Sequence, residues 1–374
     1  MMKAIAIVPG TPGAKIVERP EPSVSAPDDV KLRVICVGIC GTDREEISGG
    51  RSQAPEGQKE LVIGHEMFGQ VVAAGAAVKS VKEGDYAVFT VRRPCERCAP
   101  CRMGRADMCR TGEYRERGIQ GLDGYQTEFA VDKEQYVVPV PGELEKAGVL
   151  MEPLSIVEKA IEEAIRLQKV RCPDAAATPA WMVGRRCLVA GLGPVGLLAG
   201  MVLRLYDCEV YGLDVVDAAT ARPQWLSAIG GHYIDGRQLN PDKIGESVGP
   251  MDMIVDASGI APLEFNLLDA LDIDGAYVLT GIPGGDRPLE IPGAALIRQL
   301  VLKNQVMLGS VNAARGHFQM GANHLQQAHL KWDALLDQLV TQHYTPEEFI
   351  ASQEHHEPNA IKQVVEWTTP SRRA

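Results

Sequence analysis

Four cysteines, Cys95, Cys98, Cys101 and Cys109, stand within the stretch PCERCAPCRMGRADMC, residues 94–109. Thiolates at C-x2-C-x2-C spacing, with a fourth eight residues on, can surround one ion. Four sulfur donors saturate a tetrahedral zinc, which makes a closed structural centre. An iron–sulfur cluster is the competing occupant, since four thiolates suit it too. A saturated ion cannot take substrate, so catalytic chemistry needs another donor set. Cys40 in ICGTD, with His65 and Glu66 in IGHEMFG, offers one thiolate, one imidazole and one carboxylate. That mixture suits a zinc with a position left open for water or substrate. Taken singly, Cys40 reads as a small buried apolar residue and His65 as a hydrogen-bonded core histidine. Beside a nucleotide fold and a four-cysteine lobe, the metal reading prevails. The thiols Cys36, Cys172, Cys187 and Cys208 sit in apolar runs or near a connector and read as inert.

The stretch VAGLGPVGLLAG carries Gly191-Leu192-Gly193-Pro194-Val195-Gly196 between a strand pattern and a helix pattern. The first glycine allows a tight turn, the second lets backbone approach a pyrophosphate, and the third lets helix pack on strand. The helix N-terminus then faces the phosphate charge. A glycine-rich core turn is the bland alternative, but the strand–turn–helix context favours dinucleotide binding. Asp214 lies about twenty residues further on, where a carboxylate accepts from ribose hydroxyls. It would repel a 2′-phosphate, and Val215 and Val216 offer no cation, so NAD is expected over NADP. Arg222 is the nearest residue that could restore NADP.

Several elements must position these groups. VKLRVICVGICGTD, IGHEMFGQVVAAG, EGDYAVFTV and TEFAVDKEQYVVPVP are short valine-rich runs broken by Gly, Pro and Asp, as in an irregular β domain. SIVEKAIEEAIRLQKV has helical spacing, and the connector RCPDAAATPAWMVG follows. From Arg186 strand and helix patterns alternate, which implies a parallel doubly wound sheet. NHLQQAHLKWDALLDQLV reads as a helix before a short mixed tail; His355 and His356 in that tail receive no role. The fold class is α/β. The domain reading is 1–180 β-rich, with the cysteine lobe at 95–109, then 181–309 nucleotide-binding, then 310–374 returning to the first domain.

The chain has 374 residues, is 45% apolar with 5% aromatic, and carries a formal charge of -11. Such an acidic surface repels phosphate backbones and anionic lipid, which excludes nucleic-acid and membrane-surface partners and a zinc-finger role. MMKAIAIVPG reads as a first strand, not a secretory signal, and no run spans a bilayer. A cytoplasmic location follows, where nine cysteines point to metal rather than disulfides.

The order CGTD, GHE, four-cysteine lobe and GLGPVG resembles the zinc-dependent medium-chain dehydrogenase/reductase superfamily over nearly the whole chain. TGEYRERGIQGLDGY (Thr111–Tyr125), LMEPLSIVEKAIEE (Leu150–Glu163) and GSVNAARGHFQ (Gly309–Gln319) are similar to its glucose dehydrogenase branch from archaea. That branch oxidises aldoses to lactones. The resemblance implies a GroES-like β-rich catalytic domain beside a Rossmann domain, with the site expected in the cleft between them, two zinc ions per chain, and a homo-oligomer, tetramer or dimer. It implies that Cys40 and His65 ligate the catalytic zinc, that Glu66 and Glu152 do so directly or through water, and that Asp43 orients the histidine. It gives Thr42 the hydroxyl proton, Glu116 and Asn312 the sugar hydroxyls, and Thr280, Gly281, Ile282, Ser310, Val311 and Asn312 the nicotinamide. Ile156 stands where sugar-binding relatives usually carry an aspartate, and Leu302 where some of them carry a histidine. These two favour a second reading, a polyol or secondary-alcohol dehydrogenase, which Glu116 and the 309–319 segment oppose. Asp214 departs too, since many of these relatives prefer NADP. A non-catalytic NAD-binding structural protein is a third reading, and an unsaturated zinc site counts against it.

Overall fold

The computed structural model describes residues 1–284, 288–352 and 360–368; His355 and His356 lie outside them. The chain divides into two compact units. One comprises Met1–Ser155, Asn312–Leu330 and Leu336–Ala374, and the other Ile156–Val311 with Lys331–Leu335.

The first unit is organised by the strand Asp29–Ile39, DVKLRVICVGI, whose β-branched residues are buried along nearly its whole length. It pairs antiparallel with Glu66–Ala74, Phe129–Lys133 and Lys362–Glu366. The sheet runs Val137–Val140, Tyr86–Phe89, Glu66–Ala74, Asp29–Ile39, Lys362–Glu366, Val340–Tyr344. Val34, Val37, Phe68, Phe89 and Val138 fill its core at 1% exposure or less. Each such side chain contributes about 1.5–3 kcal/mol by leaving water. The register sets Gly38 opposite Glu66 on one side and opposite Val364 on the other. The strands Val340–Tyr344 and Lys362–Glu366 pair in parallel, an order that the reading of a mixed tail did not contain.

The second unit holds six parallel strands in the order His232–Asp235, Glu209–Asp214, Arg186–Ala190, Met251–Asp256, Leu271–Leu279, Val306–Gly309. This is the dinucleotide-fold order, with its reversal between Arg186–Ala190 and Met251–Asp256. Strands buried on both faces read as continuous apolar runs; Cys187, Leu188, Val189 and Ala190 are each 0% exposed. The division falls at Ser155/Ile156, inside the helix Met151–Arg171. The sequence pattern suggested a boundary near 180 because strand–helix alternation starts only at Arg186. A helix that begins in one unit and continues in the other leaves no linker composition to read. The helix foreseen around residues 323–340 runs Arg315–Trp332 and is followed by single turns. Among the described residues no helix is long and apolar enough to cross a membrane.

Candidate active site

The strand Asp29–Ile39 ends at Cys40, which starts the helix Gly41–Ile47. Asp43, in the first turn, accepts the Cys40 N–H on Oδ2 at 2.7 Å and so fixes the turn that aims the thiol. Ligand atoms of Cys40, His65 and Glu66 lie within 4.8 Å of one another, with His65 and Glu66 buried. Thr42 Oγ1 sits 3.8 Å from Cys40 Sγ. His65 Nδ1 faces Asp43 Oδ1 at 3.7 Å, and neither atom has a hydrogen-bond partner among the described residues. With Nδ1 turned to Asp43, Nε2 is the nitrogen left for a metal.

Acidic groups crowd this site. Burial alone would lower the His65 imidazole, but the Asp43 carboxylate, Cys40 and Glu152 together raise it well above its usual value. Burial, with Glu66 and Asp43 adding, pushes Glu152 up to about 7. Glu152 is outside the three-residue donor cluster. The imidazole and the Glu152 carboxyl therefore hold their protons to higher pH than usual. A divalent cation fits the thiolate, imidazole and carboxylate donors gathered here, and its binding would release those protons.

Lys362 was not foreseen. It is 2% exposed, its Nζ forms an ion pair with Glu66 Oε2, and it donates to the Ile39 carbonyl at 3.1 Å. Burial lowers its pKa, yet Glu66 and Cys40 outweigh that and keep it charged. The pair exists because residue 38 is glycine. A Cβ there would contact Glu66 Oε2 and stand 2.6 Å from Lys362 Cε. Glu46 was also missed: at 0% exposure, burial and then Asp43 push its carboxyl up to about 9. Its i+3 spacing from Asp43 on a short helix is the one signal in the sequence.

The other cysteines form a compact lobe. Ligand atoms of Cys95, Cys98, Cys101 and Cys109 lie within 4.8 Å of one another. Cys98 Sγ and Cys109 Sγ are 4.0 Å apart. Zn–S bonds of about 2.3 Å at tetrahedral angles require sulfurs about 3.8 Å apart, so zinc fits. Thr111, then the backbone N–H groups of Cys98 and Arg97, lower Cys95 to about 5 and favour the thiolate a metal needs.

In the second unit the glycine turn has the shape a pyrophosphate needs. Gly191 has φ +83°, and a Cβ on it would lie 2.9 Å from Ser258 Cα. A Cβ on Gly196 would collide with the Gly191 carbonyl, whereas Gly193 meets nothing within 4 Å. Gly193 precedes the helix Pro194–Leu205, whose first turn begins with Pro194 and Val195, and Leu192 before it is buried. Asp214 accepts the Leu192 N–H on Oδ2 at 2.9 Å and the Val215 N–H on Oδ1 at 2.7 Å. Arg222 Nη1 lies 3.8 Å from the same Oδ2. Thr280 Oγ1 donates to the Asp256 carbonyl at 2.6 Å, and Gly281 packs against Gly259, leaving no room for a Cβ. Ser310 N–H bonds the Leu279 carbonyl at 2.9 Å, and its buried Oγ has no partner among the described residues. Lys159 Nζ holds the Val311 carbonyl at 2.8 Å, and Ile282 is 67% exposed.

Residues 145–367 match the glucose dehydrogenase C-terminus family, and residues 26–142 match the alcohol dehydrogenase GroES-like domain. Glucose 1-dehydrogenases of Methanocella arvoryzae and Thermoproteus tenax are each 37% identical to this chain, over 91% of it and 92% of theirs. A structure titled Haloferax mediterranei glucose dehydrogenase in complex with NADP, Zn and gluconolactone superposes with a TM-score of 0.85 at 32% identity. It covers 98% of this chain and 100% of that one. The chain belongs to the glucose dehydrogenase family of zinc-dependent medium-chain dehydrogenases.

Within this glucose dehydrogenase-family chain, Glu116 lies on the strand Arg115–Arg117, and its Oε1 accepts from Arg92 Nη2 at 2.9 Å and Asn312 Nδ2 at 2.6 Å. Asn312 has φ +60°, a left-handed conformation that asparagine tolerates. The first unit thus brings Glu116 and Asn312 together. Ile156 is half-buried one turn after Glu152. Leu302 ends the helix Gly293–Leu302 at 74% exposure, so it faces solvent rather than a ligand.

Proposed function

We propose that this protein oxidises the anomeric hydroxyl of an aldose, glucose foremost, to the lactone, with NAD or NADP as hydride acceptor. The observation that carries the reading is the Cys40–His65–Glu66 donor set, in which His65 and Glu66 are buried. Bound there, zinc supplies Lewis-acid polarisation of a hydroxyl, and the nicotinamide takes the hydride. Cys40 and His65 hold the ion, with Glu66 and Glu152 as carboxylates that ligate directly or through water. Asp43 orients His65 through Nδ1. Thr42 Oγ1 relays the proton leaving the substrate hydroxyl, accepting it while giving up its own towards the cofactor ribose and solvent. Glu116 and Asn312 accept and donate to the remaining hydroxyls. Gly191, Gly193 and Gly196 make room for the pyrophosphate, and Asp214 accepts from the adenosine ribose. Thr280, Gly281, Ile282, Ser310 and Val311 flank the nicotinamide, with Lys159 steadying the last of these. Asp214 supports NAD over NADP, while the nearby Arg222 leaves NADP accessible.

The half-buried apolar Ile156 beside Glu152 supports a second reading, oxidation of a polyol or secondary alcohol. One panel separates them: glucose, galactose and xylose against sorbitol, threonine and butanol, each with NAD and NADP. Aldose turnover several-fold above every alcohol supports the first reading, and the reverse order overturns it. Cys40→Ala should abolish turnover and leave NAD binding intact. Near-normal turnover in that variant would refute the metal mechanism.

The assembly we propose is a homo-oligomer. Ile297 and Val301, one helical turn apart, are 65% and 68% exposed, and the strand Val306–Gly309 ends the sheet among the described residues. An exposed apolar face and a terminal strand are each costly in water, and a second copy would cover them. The acidic charge of -11 supports the absence of a nucleic-acid partner, and nine unpaired cysteines support a cytoplasmic setting.

A further inference from the structure

Arg92 is a buried arginine that the chemistry above does not use. It lies in the short strand Arg92–Arg93, directly opposite Glu116 in register. Its guanidinium spans two features of the first unit. At one end, Nε and Nη2 both donate to Glu116 Oε1, at 3.0 and 2.9 Å. At the other, Nη1 donates to the Asp107 carbonyl at 3.1 Å. Asp107 belongs to the single turn Ala106–Met108, between the lobe residues Cys101 and Cys109. The guanidinium plane also lies over the Tyr114 ring, 3.7 Å from its centroid.

This arrangement leaves Glu116 with one occupied oxygen and one available. Oε1 accepts three hydrogens, two from Arg92 and one from Asn312. Among the described residues no hydrogen bond reaches Oε2. Three donors converging on Oε1 anchor that oxygen and leave Oε2 as the acceptor for a ligand. Asn312 is fixed by the same oxygen and by its own Oδ1, which accepts the Ala313 N–H at 2.7 Å. Lysine could supply the charge here but not the fork.

We propose that Arg92 is a positioning residue for substrate. It orients Glu116 and Asn312 toward sugar hydroxyls, and it ties both to the backbone of the four-cysteine lobe. The lobe thereby contributes to substrate recognition and not only to stability. This rests on the aldose reading, in which Glu116 and Asn312 meet the sugar.

The test uses the full zinc-loaded protein with glucose. Arg92→Met, Arg92→Lys and Glu116→Gln are compared with the parent for kcat, KM, NADH affinity by fluorescence, and zinc content. The expected result is a glucose KM raised at least ten-fold by Arg92→Met, with the larger part of the loss in KM rather than kcat. Arg92→Lys should recover only part of it. NADH affinity should stay within two-fold and zinc content unchanged. The proposal is overturned if glucose KM moves less than two-fold in Arg92→Met while Glu116→Gln raises it ten-fold. It is also overturned if Arg92→Lys matches the parent, or if KM, NADH affinity and zinc content all fail together in both arginine variants. A parent that oxidises no aldose sinks the aldose reading itself, whatever the variants do.

Discussion

Gly38→Ala is the sharpest probe of how the open metal site is built. The added methyl would stand 2.6 Å from Lys362 Cε and 3.1 Å from Glu66 Cβ, and in contact with Glu66 Oε2. Both partners are 2% exposed, so neither can swing into solvent. Overpacking a core costs about 1–3 kcal/mol. Separating a buried ion pair costs about 3–5 kcal/mol when one charge is left unmatched. Partial relaxation makes the sum smaller, and about 3 kcal/mol is a fair lower figure. At about 2–4 °C per kcal/mol for a domain of 150–250 residues, Tm should fall by about 6–12 °C. Calorimetry on metal-stripped and metal-loaded protein, with a zinc count on each, measures it. Lys362→Met should lower stability by a similar amount, because it leaves Glu66 buried without its cation. A Gly38→Ala protein that melts within a degree of the parent and holds the same zinc would refute the account of this pair.

Other outcomes follow from features of both units. Asp132 is buried between Arg93 and Arg117, and the two guanidinium groups outweigh burial and lower its carboxyl pKa. A depressed folded value stabilises above about pH 4 and is lost as pH falls through that value. Asp132→Asn should therefore cost about 3–5 kcal/mol at neutral pH, with the gap to the parent closing in acid denaturant titrations. A gap independent of pH would count against it. Cys101→Ser, at a lobe thiol 6% exposed, should reduce zinc from about two ions per chain to about one and lower Tm markedly. An unchanged metal count would argue against a four-thiolate centre. Asp214→Ala removes the acceptor proposed for the adenosine ribose, so on that reading the ratio of NADP to NAD efficiency should rise about ten-fold or more. Steady-state kinetics with both cofactors reads it, and an unchanged ratio would exclude Asp214 as the discriminator.

What the sequence made legible was local. Gly191, Gly193 and Gly196 form a turn within one strand–helix junction, and the cysteines of residues 95–109 close on themselves within fifteen residues. Cys40 and His65–Glu66 could be paired in advance because their residue types are chemically specific. Lys362 and Arg92 carried no such mark. A lysine in KQVVE and an arginine in VRRP look like solvated charges until strand pairing brings them beside Glu66 and Glu116. Their meaning resides in register between distant strands, and single-strand patterning does not encode it. The same limit explains the boundary at Ser155, since a continuous helix has no punctuation at the place where its neighbours change.

The bond between Lys362 and the Ile39 carbonyl joins residues 323 positions apart. The carboxylate at Glu66 thus has no cationic partner until the strand Lys362–Glu366 has docked. Closing so long a loop is entropically slow and comes after the local turns have formed. During synthesis the early β strands would carry a thiol, an imidazole and an unpaired carboxylate exposed to any passing ion. Correct metal loading is therefore a late event, and a refolding experiment with zinc added at successive times should show uptake at this site lagging behind the four-cysteine lobe.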